Sequence, residues 1–227
     1  MTARLVVFDA YGTLLDVDGA ARAAAAEPGG EALARLWAPL ASDWRRKQLE
    51  YTWLRTLMGA YADFDVVTAD ALDWAMEAHG LADVGLRDRL LALYRVLPAY
   101  GEARGVLEAL KGAGIGRAIL SNGSPGMLQA AVEAAGIAGS FDAVISVEAV
   151  GRYKPVRAVY DLVGAETGVA AGDVLFVSAN GWDAAGAAAY GFRTLWVNRT
   201  AAPVERLPGR PAHVAADLTP VPELATQ

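Results

Sequence analysis

The sequence predicts an α/β protein: a doubly wound parallel sheet core, Rossmann-like, with an inserted helical cap domain. Three observations predict it. Five short apolar runs stop abruptly at polar or turn residues, as strands buried on both faces do. From residue 100 onward these runs alternate with segments of helical spacing, as right-handed crossovers in a parallel sheet require. Residues 16–97 hold no clear buried strand, and connections in compact domains run only about 4–6 residues, so this stretch must carry structure of its own.

Taken in order, the first strand is Leu5-Val6-Val7-Phe8, which ends at Asp9-Ala10-Tyr11-Gly12-Thr13. The insertion reads as helices over Ala20 to Ala26, Glu31 to Leu40, Ser42 to Tyr61, Thr68 to His79 and Leu86 to Leu97, broken at Pro28-Gly29-Gly30, Gly80 and Pro98. Ala103, Val106, Leu107 and Leu110 give a helical stripe before the second strand, Arg117 to Leu120. Ser124-Pro125 opens the next helix, with Gly136 as its stop, because Ser caps and Pro suits the first helical turn. Strands at Ala143 to Ser146, Val174 to Val177 and Thr194 to Val197 alternate with helices around Val159-Leu162-Val163 and Ala184-Ala189. The tail from Ala201, with Pro203, Pro208, Pro211, Pro220 and Pro222, is expected to be loop-rich. The expected division is a core of residues 1–15 and 98–227 and a cap of residues 16–97.

Composition narrows the chemistry. The 227 residues carry 20 Lys+Arg against 26 Asp+Glu, a net charge of −6, and 54% are apolar, so disorder is a poor reading. Without cysteine there is no disulfide framework, Cys-based zinc site or thiol nucleophile. Two histidines, His79 and His213, are too few for a His-rich metal cage and leave little for a Ser-His-Asp triad. No run reaches the roughly 18–20 apolar residues of a membrane span, and Met1 to Asp9 lack the basic start of a signal peptide. No Lys/Arg block offers a nucleic-acid footprint. The expectation is a cytoplasmic globular protein acting on a small molecule, with no nucleic-acid or membrane partner.

Ligands in open parallel sheets bind at the carboxyl ends of the strands. There the sequence places Asp9, then Ser121-Asn122-Gly123-Ser124, then Arg152-Tyr153-Lys154-Pro155, then Ser178-Ala179-Asn180-Gly181-Trp182-Asp183. These four ordered motifs, with Thr13 after Asp9 and the stretch Trp44 to Arg55, resemble the haloacid dehalogenase superfamily, and more narrowly the (S)-2-haloacid dehalogenases. The resemblance covers nearly the whole chain. It implies hydrolysis of (S)-2-haloalkanoic acids to (R)-2-hydroxy acids and halide through an aspartyl ester, with no cofactor or metal and a homodimeric state.

Asp9 alone reads as ordinary turn chemistry, Asp-x-x-Gly, and only the register of the other motifs makes it a nucleophile. The substrate is itself an anion, and two unit charges about 4 Å apart repel by roughly 4 kcal/mol at an effective dielectric of 20. Lys154 and Arg45 are the candidate compensating cations, and the resemblance gives Arg45 the departing halide, shared with Asn122. Arg46 departs from the family's usual neutral residue and either alters the pocket or points outward. Ser121 is expected on the substrate carboxylate. Thr13, Ser178, Asn180 and Asp183 are expected to serve the water that cleaves the ester, and Tyr160 to orient the lysine or the substrate, unless it is a plain core tyrosine. Tyr11, Leu49, Phe64 and Trp182 are candidates for the apolar wall, and Ser124 is read as a helix cap. Two other functions stay open: a Mg²⁺-dependent small-molecule phosphatase of the same superfamily, and a catalytically silent binding protein. Against the phosphatase, Tyr11 stands where a second Asp would act as acid and base, and Asp183 is the only acidic residue of the strand-four loop.

Overall fold

The computed structural model describes residues 2–28 and 33–227. The chain begins with β1 (Leu5–Phe8) and passes into α1 (Gly19–Ala26), α2 (Trp37–Met58), α3 (Phe64–Ala78) and α4 (Val84–Tyr94). It then alternates through α5 (Ala103–Gly112), β2 (Gly116–Ser121), α6 (Pro125–Ala134), β3 (Ala143–Ser146), α7 (Arg157–Thr167), β4 (Val174–Ser178), α8 (Gly181–Tyr190) and β5 (Arg193–Val197). It closes with β6 (His213–Ala215) and α9 (Val221–Thr226).

The described strands form one six-stranded sheet in the order β3-β2-β1-β4-β5-β6, parallel throughout. All four residues of β1 are buried, as an apolar run at the middle of a doubly covered sheet must be. Strand order reverses beside β1, which pairs with β2 on one side and β4 on the other. The loops leaving β1 and β4 therefore open onto the same crevice, the ligand position of such sheets.

The tail is more ordered than its prolines predict. His213–Ala215 adds a parallel edge strand to β5, and α9 begins beside Pro222, which its first turn tolerates because those N–H groups have no helical partner. The Ala3 N–H donates to the Ala225 carbonyl (2.7 Å), tying the tail to the start of the sheet.

Between β1 and α5 the chain builds a helical layer. Two expected helices, Glu31 to Leu40 and Ser42 to Tyr61, are replaced by the single helix α2; Glu31, Ala32 and the expected break at Gly29-Gly30 lie outside the described residues. Pro39 does not break α2, because it sits in the first turn. The buried stripe Leu40, Ala41, Trp44, Gln48 and Thr52 follows the helical period, and α3 packs along it with Phe64, Val67, Thr68, Ala71 and Leu72. The Trp44 indole N–H donates to the Thr68 carbonyl (2.8 Å) and pins the pair. The two crossings between sheet and layer run side by side. The Asp16 N–H donates to the Pro98 carbonyl and the Tyr100 N–H to that of Leu14, both at 2.9 Å. A Cβ on Gly19 would stand 3.0 Å from the Pro98 ring, so glycine lets these segments meet. No helix among the described residues is long and apolar enough to cross a membrane.

Candidate active site

Asp9 continues the β1 ladder, its N–H donating to the Val177 carbonyl (2.9 Å). The chain then turns sharply through Gly12, whose φ of +87° favours glycine. This turn brings Thr13 back beneath the carboxylate. Asp9 Oδ2 accepts from the Thr13 hydroxyl (3.0 Å) and from Asn180 Nδ2 (2.8 Å), and Oδ1 accepts from Lys154 Nζ (2.9 Å). Thr13 Oγ1 in turn accepts the Ala179 N–H (2.8 Å), which locks the β1 turn to the β4 loop. A carboxylate held by three fixed donors is aimed rather than mobile.

Lys154 also donates to Asp183 Oδ2 at 2.7 Å, and its side chain is 1% exposed. One ammonium therefore serves two carboxylates. Burial works against its charge, but Asp183 and Asp9 outweigh that penalty and raise its pKa above the ordinary lysine value. Asp183 is raised as well, first by complete burial and further by the Asp9 charge, with Lys154 opposing. Its other oxygen, Oδ1, accepts from the Tyr160 hydroxyl (2.8 Å). The Tyr160 phenol thus reaches Lys154 through Asp183 and not by a bond of its own. Its ring packs on Phe176, Tyr190 and Phe192, deep in the core beneath α8.

The helical layer supplies the opposite wall. Arg45 of α2 reaches across to the loops, Nη2 donating to the Tyr11 carbonyl (3.2 Å) and to Asn180 Oδ1 (3.3 Å). The Tyr11 ring stacks on Tyr94 (centroids 5.5 Å, 14° between planes) and leans on Phe64 (5.5 Å), whereas Trp182 meets Trp53 edge-on. The Tyr11 hydroxyl and the Trp53 and Trp182 indole N–H groups are buried with no hydrogen-bond partner among the described residues. Buried unpaired donors are rare in folded proteins.

With this geometry in place the comparisons are specific. A hydrolase family model, haloacid dehalogenase-like hydrolase, matches residues 3–191. (S)-2-haloacid dehalogenase 1 of Pseudomonas sp. strain CBS-3 is 45% identical over 222 residues, 97% of this chain and 96% of that protein. (S)-2-haloacid dehalogenase 4A of Burkholderia cepacia is 45% identical, covering 89% and 86%. The chain belongs to the (S)-2-haloacid dehalogenase family. Among solved structures of this family, the L-2-haloacid dehalogenase of Xanthobacter autotrophicus with chloropropionic acid covalently bound is similar with a TM-score of 0.87. It is 40% identical and covers 98% of each chain.

In this haloacid dehalogenase family member the remaining expected residues fall into place unevenly. Asn122 Oδ1 accepts the Lys154 backbone N–H (3.1 Å), so its Nδ2 is the end left to donate, and no hydrogen bond joins it to Arg45. Ser121 Oγ accepts the Gly123 N–H (3.1 Å) and keeps its own proton to give. Ser178 makes no hydrogen bond to Asp9; its Oγ accepts the Asn180 N–H (3.1 Å) and fixes that loop. Leu49 lies one turn beyond Arg45 on α2, half-buried. Ser124 Oγ accepts the Met127 N–H as a helix cap and also donates to Asp65 of α3 (2.6 Å). Arg46 points outward, pairing with Asp43 and Glu50 over the Trp74 ring, which settles its role as a surface charge. Sequence reasoning missed Gln48 and Tyr94. Gln48 Oε1 accepts from both Arg45 Nη1 (2.7 Å) and the Tyr94 hydroxyl (3.1 Å). The available signal was position: Gln48 stands one turn from Trp44 and from Thr52 on the buried stripe.

Proposed function

We propose that the protein hydrolyses (S)-2-haloalkanoic acids to (R)-2-hydroxy acids and halide. The observation that carries this reading is the Asp9 carboxylate, held by Lys154, Thr13 and Asn180 at the strand switch point and faced by the Arg45 guanidinium. In the first step an Asp9 oxygen attacks the α-carbon from behind, the carbon–halogen bond breaks with its electron pair on the halide, and the carbon inverts. Arg45 and the free Asn122 amide receive the halide, and Ser121 with nearby backbone N–H groups holds the substrate carboxylate. Tyr11, Phe64, Leu49 and Trp182 wall the side group. In the second step water attacks the Asp9 carbonyl carbon as Asp183 takes one of its protons. The intermediate then expels the substrate oxygen, which receives that proton to give the hydroxy acid, and Asp9 returns to the carboxylate by losing the other proton to solvent. Lys154 offsets the charge of the incoming carboxylate, and Tyr160 and Ser178 act one step removed, on Asp183 and Asn180.

The helical layer, residues 16–97, is a cap domain on this reading, and the core is residues 1–15 and 98–227. Closure of the cap places Arg45 and excludes water from the attacking oxygen. The cytoplasm and a homodimeric state are carried over from the family resemblance.

The phosphatase alternative needs a Mg²⁺ site beside Asp9, and the donor set suits one poorly. Each oxygen of Asp9 and Asp183 already meets a protein donor, and the Lys154 ammonium stands between them where a shared cation would bind. The expected result is halide release from (S)- but not (R)-2-chloropropionate, unchanged by a chelator, with (R)-lactate as product. Release that stops with the chelator, or a product of retained configuration, defeats the reading.

The pH dependence follows from the two raised pKa values. Asp183 must be ionised to act as base, so turnover is expected to fail on acidification at a higher pH than an ordinary aspartate would give. Lys154 stays charged through the ordinary lysine range, so turnover holds on the alkaline side until that range is passed. A pH profile of kcat checks both limbs; an alkaline fall below the lysine range contradicts the arrangement.

A further inference from the structure

We propose that Gln48 is a positioning residue for Arg45, and that its neutral amide sets how strongly the site assists a departing halide; this rests on the dehalogenation reading above. Arg45 gives its hydrogen bonds to three uncharged acceptors: Gln48 Oε1, the Tyr11 carbonyl and Asn180 Oδ1. No carboxylate among the described residues lies within ion-pair distance of it, whereas its neighbour Arg46 has two such partners. A partly buried guanidinium bound only to dipoles keeps its charge for an incoming anion. A carboxylate partner would cancel that charge in place.

The orientation of Gln48 is specified from every side. The residue is 0% exposed. Its Nε2 donates to Thr68 Oγ1 (2.7 Å), while Oε1 receives Arg45 Nη1 and the Tyr94 hydroxyl. Turning the amide over would set its NH₂ against the Arg45 guanidinium, which has no acceptor to offer, and a buried site does not tolerate that. Tyr94 cannot drift, because its ring is sandwiched by Tyr11 and Trp44 (5.5 and 5.0 Å). Thr68, Gln48, Arg45, Asn180 and Asp9 thus form one hydrogen-bonded chain from α3 to the nucleophile.

The test is Gln48→Glu, which keeps size and shape and adds the cancelling charge. Steady-state kcat and KM are measured for (S)-2-chloro-, bromo- and iodopropionate in the wild type, Gln48→Glu and Tyr94→Phe, with thermal unfolding of each. Expected for Gln48→Glu is a fall in kcat of about 10²-fold with the chloro substrate, the scale of a misplaced catalytic group. The fall should shrink through bromide to iodide, because better leaving groups need less help, and KM should move less than kcat. Tyr94→Phe should show a smaller fall in the same order, and decides the matter if Gln48→Glu does not fold. Equal falls for all three halides, or a change confined to KM, overturn the proposal while leaving the dehalogenation reading intact. A wild type that releases no halide defeats both.

Discussion

A Lys154→Met substitution is expected to cost about 3–5 kcal/mol of stability, the scale of leaving buried charge uncompensated, and to stop halide release. Met keeps most of the side-chain volume, so the loss reads out charge rather than a cavity. In the wild type the Lys154 ammonium lies 2.9 Å from Asp9 and 2.7 Å from Asp183. Removing it leaves two nearby carboxylates facing each other in a dry interior. Urea denaturation of the two proteins measures the cost, and adding Asp183→Asn to the Met variant should recover part of it. A variant as stable as the wild type would show that the trio is held by other means. The pH dependence carries the same signature. A lysine whose folded pKa is raised contributes stability that is complete below its unfolded value and is lost as pH climbs through the folded one. The wild type should therefore lose stability above the ordinary lysine range, and the Met variant should lack that loss. Asp183 acts in the same direction in a lower window: its raised pKa erodes stability as pH rises from the unfolded aspartate value through the folded one.

An Asp9→Asn substitution should remove turnover while leaving the fold intact. Loss of a nucleophile that works as part of a unit costs on the order of 10⁶ in kcat. Stability should hold, because Lys154 keeps Asp183 as partner and the repulsion between Asp9 and Asp183 is relieved. Halide release and a denaturation curve on the same preparation separate chemistry from folding. In the wild type, one turnover in heavy-oxygen water followed by mass spectrometry should place label on Asp9 and not on the product hydroxyl. Turnover retained by the Asn variant, or label found only in the hydroxy acid, would assign the attack to water instead.

The sheet was legible because its strands are apolar runs that end where chemistry begins. Leu5–Phe8 and residues 174–177 could be placed from sequence because burial on both faces permits little but Val, Leu, Ile and Phe. The edge strand His213–Ala215 could not be. It is three residues long, its middle residue Val214 is exposed, and it sits among prolines, so no burial pattern marks it. Asp9, Thr13, Lys154, Asn180 and Asp183 lie far apart in the chain but converge around one carboxylate, as ordered motifs at successive strand ends must. The partner of Tyr160 was not legible, because its spacing from Lys154 says nothing of which side of the lysine its helix passes. Gln48 was not legible for a related reason: a neutral residue between Lys47 and Glu50 reads as surface, and only the packing of α3 shows that it is fully buried.

The paired crossing at Leu14–Asp16 and Pro98–Tyr100 has a bearing on how such proteins diversify. Entry and exit of the inserted helices lie within hydrogen-bond reach of each other, immediately past the turn that carries Asp9. Exchanging everything between those two points leaves the described β-ladders in register, since none of their pairings runs through it. The sheet and the helical layer are thereby encoded in separable stretches of one gene, but any exchange takes Arg45, Gln48 and Tyr94 with it, so a replacement layer must bring its own groups to face the Tyr11 and Asn180 loops.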